Sequence, residues 1–391
     1  MMTGLEGQIS ITVRLEKMSA IDVEVTSSRP LHAAKIFIGK TPEQVMDIIP
    51  LLFNICGVAQ SRAALSSIQN QLDIKADPEL EKARDIMVLA ENAKEHLLRI
   101  FLDWPELFEQ DLELENLAYV GQLLMQFKQS LFYDGQAFKL ESKMNTELLR
   151  AREAVSELES YLKDNVFCMP TRQWLEILTF DDLSQWAKQC FGIAAETLHI
   201  ICEQGWTYQG TTQCRQLPYL GAKQLEQIFE SDDVEDFIAA PQWQGHCHET
   251  SALTRQIDQP LIKALHEEFY TGLITRWAAR LIEIARIPAQ MSDLLDQIHN
   301  PATNGLTSSG QNGIADVEAA RGRLIHRVTI NCGLISNYQI LAPTEWNFHP
   351  QGLIKESLKS ITAKDKDEWK HLASLLINAI DPCVGYQLRI H

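Results

Sequence analysis

Strict alternation of apolar and polar residues marks the two ends of this chain, and helical patterning dominates between them. In residues 8–26, Ile9, Ile11, Val13 and Leu15 share one face, and Ile21, Val23 and Val25 share another. That spacing predicts two strands around a turn near Lys17–Ala20. Late in the chain, "GRLIHRVTINCGLISNYQILAP" alternates through Leu324, His326, Val328 and Ile330, which predicts a β layer. Between them, "TELLRAREAVSELESYLKDN" sets Leu148, Val155, Leu158 and Leu162 as a stripe among charges, the pattern of a helix packed on a neighbour. The expected fold is therefore mainly α (α+β). At 391 residues the chain could hold two or three domains or one large one. We expect a single domain over 1–391, with an N-terminal hairpin (8–26), a helical core (41–298), a flexible loop (300–313) and a C-terminal β and helix segment (318–391).

Local signals divide the helical part. Thr41 is an expected N-cap, with Pro42 at the first helical position and Gln44 closing a capping box. Pro50 should break or kink that helix, and a new one should start near Cys56-Gly57. Thr179 and Asp182 announce a further helix, which Gly192 is expected to close. Residues 205–247 read as irregular, "NPATNGLTSSGQNG" as a mobile polar loop, and 364–378 as the last helix.

A net charge of −17 argues against a nucleic-acid partner. The most apolar stretch, "VMDIIPLLFNICGVA", is interrupted by Asp47, Pro50 and Asn54 and is too short to span a bilayer. The N-terminus lacks a basic region followed by an apolar run, so no signal peptide is expected, and the chain reads as cytoplasmic. The eight cysteines never pair as C-x-x-C. In a reducing compartment they are not a disulfide framework, and the default for each is a small buried apolar residue.

Three segments stand out together: "NICGVAQSRAALSS" around Cys56, "EAARGRLIH" with "NYQILAPTEWN", and "DPCVGY" around Cys383. In order and context they resemble the large subunit of nickel–iron hydrogenases, whose motifs are R-I-C-G-x-C, E-A-P-R-G, N-Y-Q-x-x-x-P-[ST]-x-W-N and D-P-C-x-x-C. "LEGQISI", "EHLLRIFLDWPEL" and "HETSALTR" are similar to further stretches of that family. The resemblance covers both ends well and the middle loosely, and implies a large-subunit-like helical core.

The departures carry the functional reading. In the family each C-x-x-C supplies two thiolates, and the four hold nickel and iron. Here the pairs have become Cys56…Ala59 and Cys383…Tyr386, so the two bridging cysteines are gone, and the family histidine after the first pair is Ala63. Losing two of four soft ligands removes the nickel–iron bridge, and Tyr386 is expected to crowd the space. Cys56 and Cys383 are the retained metal candidates, although in the family their counterparts bind nickel alone. Arg321 matches the family arginine near the cyanide ligands of iron, and Thr344 after Pro343 matches the Ser/Thr that hydrogen-bonds a cyanide. Glu6 matches the family's proton-relay glutamate and is here at most a pocket wall. This pattern resembles the HupK/HoxV-type accessory proteins. It implies a non-enzymatic scaffold or chaperone for an Fe(CN)2(CO) fragment, or iron, with no nickel, before transfer to the catalytic subunit. The implied partners are hydrogenase assembly chaperones and the large-subunit precursor, with no nucleic acid and no membrane insertion. The family precursor has a cleaved tail after its last motif. Here the sequence stops at His391, which implies no tail to cut and leaves a terminal magnesium site doubtful.

Plainer readings stand beside these. Cys56 could be a buried core cysteine, although a helix N-terminus should lower its pKa and favour thiolate. Arg321 could be a structural arginine paired with a carboxylate such as Glu318. "GHCHET" (245–250) reads as a surface turn rather than a metal site. Two rivals remain for the whole chain: a metal-free homologue that binds a small subunit or assembly chaperone, and a divergent metal oxidoreductase.

Overall fold

The computed structural model describes residues 7–30, 33–298 and 312–391. The N-terminal alternation forms a hairpin, β1 (Ile9–Glu16) and β2 (Ser19–Ser27), turning at Lys17 and Met18, both with positive φ. Two left-handed residues match the right-handed twist of the flanking strands. Ile9, Ile11, Val13, Val23 and Val25 bury one face. The helix α1 (Pro42–Leu52) has the expected capping box at Thr41 and Gln44. It runs through Pro50 and ends at Phe53, so the proline sits in its last turn without breaking it. The next helix, α2 (Gly57–Leu72), takes Cys56 as its N-cap. α3 (Pro78–Leu98) follows and continues through a π-helical turn, Arg99–Asp103, into Trp104.

The large core is built mainly from helices. α3 packs on the 26-residue helix Leu273–Ile298, and Trp104 stacks on Trp277 with ring centroids 4.2 Å apart. The stripe expected on the helix Leu149–Leu162 is there, with Val155, Leu158 and Leu162 buried. The segment 205–247 is less irregular than expected. It contains helices Ala222–Phe229 and Val234–Ala239, and its strand β3 (Arg215–Gln216) pairs in parallel with β4 (His248–Glu249). The C-terminal layer is an antiparallel sheet, β5 (Ile314–Ala319), β6 (Gly322–Asn331) and β7 (Leu334–Leu341), lying against α2. The last helix is Lys366–Ile380, and β8 (Tyr386–Ile390) joins β1 in parallel, giving the order β2-β1-β8. Most of the expected loop 300–313 lies outside the described residues.

Two local expectations are corrected. The helix Phe180–Gln189 is capped at its start by Thr179, but it ends at Cys190, and Gly192 instead opens the next helix. Two of the scattered cysteines, Cys168 and Cys190, are joined as a disulfide with Cα atoms 5.8 Å apart. The packing of Phe167, Trp174 and Trp186 brings together the two chain ends that carry them. Among the described residues, no helix is long and apolar enough to cross a membrane.

Candidate metal centre

Cys56 and Cys383 come from opposite ends of the chain and line the same space. The loop after α1 delivers Cys56 to the start of α2. Cys383 lies just past the helix Lys366–Ile380, which ends at Asp381 in the left-handed region (φ 63°). Pro382 follows, and its missing N–H forbids any continuation. Thr344 fixes Cys383 twice: its hydroxyl donates to the sulfur at 2.9 Å and accepts the Cys383 backbone N–H at 3.3 Å. Gln60, one turn into α2, directs its amide at the Cys56 sulfur at 3.8 Å. Both cysteines line a cavity of about 260 Å³ and a smaller, deeper one of about 20 Å³. Arg321, Pro343 and Glu95 line the deeper one.

Arg321 occupies the tip of the β5–β6 hairpin, and the chain is built tightly beneath it. Gly322 has φ 130°, and a Cβ there would lie 2.2 Å from the Thr250 carbonyl oxygen. Asn347 donates to the carbonyls of Thr250 (2.6 Å) and Arg321 (3.1 Å), so "HETSALTR", "EAARG" and "PTEWN" meet at one amide. The Arg321 guanidinium is 4% exposed as a residue and is already paired, with Glu95 at 3.1 Å and Asp381 at 3.2 Å. These partners replace the expected Glu318, which faces Arg323 and Arg255 instead. Asp381 also lies 3.6 Å from Arg99 and 3.7 Å from Arg280. Burial alone would raise the Asp381 pKa, but Arg321, Arg99 and Arg280 together hold it below the usual carboxylate range. The π-helical turn after α3 is what carries Arg99 and Asp103 into this cluster.

The expected thiolate at the start of α2 does not arise from the helix N-terminus. The free N–H groups there are taken by Glu91, which accepts from Val58 and Ala59 at 2.8 Å each. Burial, then Cys383, then Glu91 push the Cys56 thiol well above its usual pKa, while Arg321 and Gln60 act the other way. A bound metal cation would reverse that balance. Glu91 itself is pushed up to about 7 by burial, opposed by the two N–H bonds.

The positions of the missing ligands are also accounted for. Ala59 and Ala63 are fully buried and pack with Ala319, Leu324 and Ala342, so methyl groups fill that volume. Tyr386 does not crowd the cavity as expected: it opens β8 opposite Ile9 and is 37% exposed. Glu6 lies outside the described residues. In "GHCHET" the turn is real at Gln244 and Gly245, with His246 exposed. His248 and Glu249 are buried, and Glu249 forms an ion pair with Arg276. The sequence reading missed Arg29, Gln60, Glu91, Glu95, Glu345 and Asp381. Asp381 stood inside the quoted motif and Gln60 one turn past Cys56, so spacing could have flagged both. The others arrive by tertiary packing.

Among the described residues, no group of three or more His, Cys, Asp or Glu side chains is arranged to hold a metal ion. Among the described residues the cavity offers two soft sulfur donors, while the Glu91 and Glu95 carboxylates that also line it are bonded to Val58 and Ala59 and to Arg321. A bare divalent ion prefers a fuller protein shell. Two thiols with open space in front of them fit a metal that brings its own ligands.

Comparison with known proteins gives the family and the fold. The family described as nickel-dependent hydrogenase matches residues 202–385. The hydrogenase expression/formation protein HupK of Rhodobacter capsulatus is 36% identical over 367 residues, covering 94% of this chain and 92% of its own. The expression/formation protein HupV of Azotobacter chroococcum mcd 1 is 26% identical over 388 residues, 99% of each chain. The Ni-Fe-Se hydrogenase of D. vulgaris Hildenborough superposes with a TM-score of 0.65 at 15% identity, covering 94% of both chains.

Proposed function

Because the chain belongs to the nickel-dependent hydrogenase family and, within it, to the hydrogenase expression/formation proteins of the HupK kind, we propose that it is a maturation scaffold that holds an Fe(CN)2(CO) fragment between Cys56 and Cys383. The observation that carries this reading is that Cys56 and Cys383 line one cavity, with no group of three or more ligating side chains among the described residues. Iron bearing two cyanides and a carbonyl needs few ligands from protein. A two-point attachment also releases its cargo more readily than four thiolates would. Thr344 already donates to the Cys383 sulfur, which fixes where that donor atom points. The filled space at Ala59 and the outward Tyr386 argue against a bimetallic oxidoreductase. In this reading the protein works in the cytoplasm, receives the fragment with the help of assembly chaperones and delivers it to the large-subunit precursor. It is not itself an enzyme and binds no nickel.

Infrared spectroscopy of protein purified anaerobically from its native host tests this. Cyanide and carbonyl bands are expected, with sub-stoichiometric iron and without nickel. Cys56→Ala and Cys383→Ala should abolish the bands while circular dichroism stays unchanged. Stoichiometric nickel would revive the oxidoreductase. A wild type without bands, in cells whose cysteine variants still mature hydrogenase normally, would leave the metal-free docking protein as the better account.

A further inference from the structure

Two guanidinium groups stand near the cysteines, and they differ in how many carboxylates hold them: two for Arg321, one for Arg29. Arg321 spends Nε and Nη2 on Asp381 and Glu95 inside a buried, charge-balanced cluster. Arg29, in the segment after β2, lines the larger cavity with both cysteines and also a second cavity of about 130 Å³. Its side chain is 16% exposed. Among the described residues its only side-chain acceptor is Glu345, reached from Nη1 at 2.6 Å. Glu345 holds it with one oxygen, and the other, Oε2, is buried without a partner. The remaining N–H groups of Arg29 are thus open to the cavities.

We propose that Arg29 is the anion-selecting residue of this cavity, the guanidinium that binds a cyanide-bearing or otherwise linear anionic ligand in front of Cys56 and Cys383. The inference rests on the scaffold reading for the identity of the cargo, but not for the anion preference. With ferrous iron, an Fe(CN)2(CO) unit held by two thiolates is a dianion, and it favours a cation held by one carboxylate over one held by two. Arg29 meets that need, because it gives Glu345 only an Nη1 N–H and keeps further N–H groups for a cyanide nitrogen. The surrounding wall, with Phe53, Ile55, Ile238 and Ile340, excludes water and strengthens the attraction. A neutral ligand gains nothing comparable, so the residue sorts cargo by charge. Arg321 acts beneath it as a positioning residue, tying the hairpin tip to Asp381 beside Cys383.

Two measurements on the full chain test this. Thiocyanate, followed by its C–N stretching band, is titrated into metal-free wild type, Arg29→Gln and Arg29→Lys. Loss of one charge-assisted contact should weaken binding about tenfold to a hundredfold in Arg29→Gln. Arg29→Lys should fall between, because it restores charge without the planar fork. Infrared spectra of the same proteins purified from the native host should show weaker, shifted cyanide bands in Arg29→Gln. Equal thiocyanate affinity in wild type and a folded Arg29→Gln overturns the proposal. So do unshifted cyanide bands at wild-type intensity. Arg29-dependent thiocyanate binding in a wild type that never carries cyanide bands would keep the anion site and sink the iron-scaffold reading. Should Arg29→Gln fail to fold, Glu345→Gln serves instead. It frees the guanidinium, and thiocyanate should bind more tightly, whereas unchanged or weaker binding refutes the role.

Discussion

His326 lies in β6 with no exposed surface, between Tyr338 and Gln60. The Gln60 carbonyl oxygen can only accept, so Nε2 carries the proton and donates at 2.8 Å, while Nδ1 accepts the Tyr338 hydroxyl at 2.8 Å. Burial depresses its pKa from 6.5 to about 3. The unfolded chain takes up this proton as pH drops through 6.5, and the folded chain does not until about 3. Stability from this residue is therefore whole above the unfolded pKa and lost on acidification. At 1.36 kcal/mol per unit, the loss from this one group is about 2 kcal/mol between pH 7.5 and pH 5, and about 3 kcal/mol by pH 4. His326→Phe removes the titration. It also strands the Gln60 oxygen and the Tyr338 hydroxyl, costing roughly 1–3 kcal/mol at neutral pH. Urea unfolding of both proteins across that pH range is the assay. The variant should be the less stable protein at pH 7.5, and the gap should shrink or reverse by pH 5. Parallel curves would show that His326 is protonated in the folded state and that the hydrogen-bond assignment is wrong.

Restoring the lost ligands by sequence alone should fail. Ala59→Cys with Tyr386→Cys is expected to cost about 1–3 kcal/mol at the overpacked first position and to bind no stoichiometric nickel by metal analysis, because residue 386 sits on an outward strand. Gly322→Ala drives a Cβ against Thr250 and should lower the thermal midpoint, with roughly 1–3 kcal/mol from the backbone conformation alone. Glu91→Gln removes the carboxylate charge that, after burial and Cys383, holds the Cys56 pKa up. Iodoacetamide should alkylate Cys56 faster than in wild type at a fixed alkaline pH, and stability should fall by about 0.5–2 kcal/mol as the cap weakens.

Period-two runs and caps were legible because they are local. Ile9 to Val25, Thr41 with Gln44, and Leu324 to Ile330 each state their structure within a few residues. The pairing of β8 with β1 was not legible, since nothing in "YQLRI" names its distant partner. At the site, motif order put Cys56, Arg321, Pro343, Thr344 and Cys383 within reach of one another before any coordinates did. Their electrostatics were hidden. The helix N-terminus near Cys56 promised a thiolate, but a carboxylate from α3 had already taken its N–H groups. Arg321 was expected either beside a cyanide or paired with a carboxylate such as Glu318, and the carboxylates that pair with it are Glu95 and Asp381. Arg29 carried no motif at all, and only the folded chain sets it beside the cysteines.

β8 has a consequence for the order of events during synthesis. It is hydrogen-bonded to β1 at both ends: Ile9 donates to the Gly385 carbonyl, and Leu15 to that of His391. Cys383 sits in the short link between the helix Lys366–Ile380 and this strand, so its position depends on a pairing between two strands far apart in sequence. Contacts of such sequence separation form late. A nascent chain would expose Cys56 long before Cys383 exists, and one sulfur alone would hold cargo poorly. In the scaffold reading proposed above, two-point attachment therefore waits on the pairing of β8 with β1.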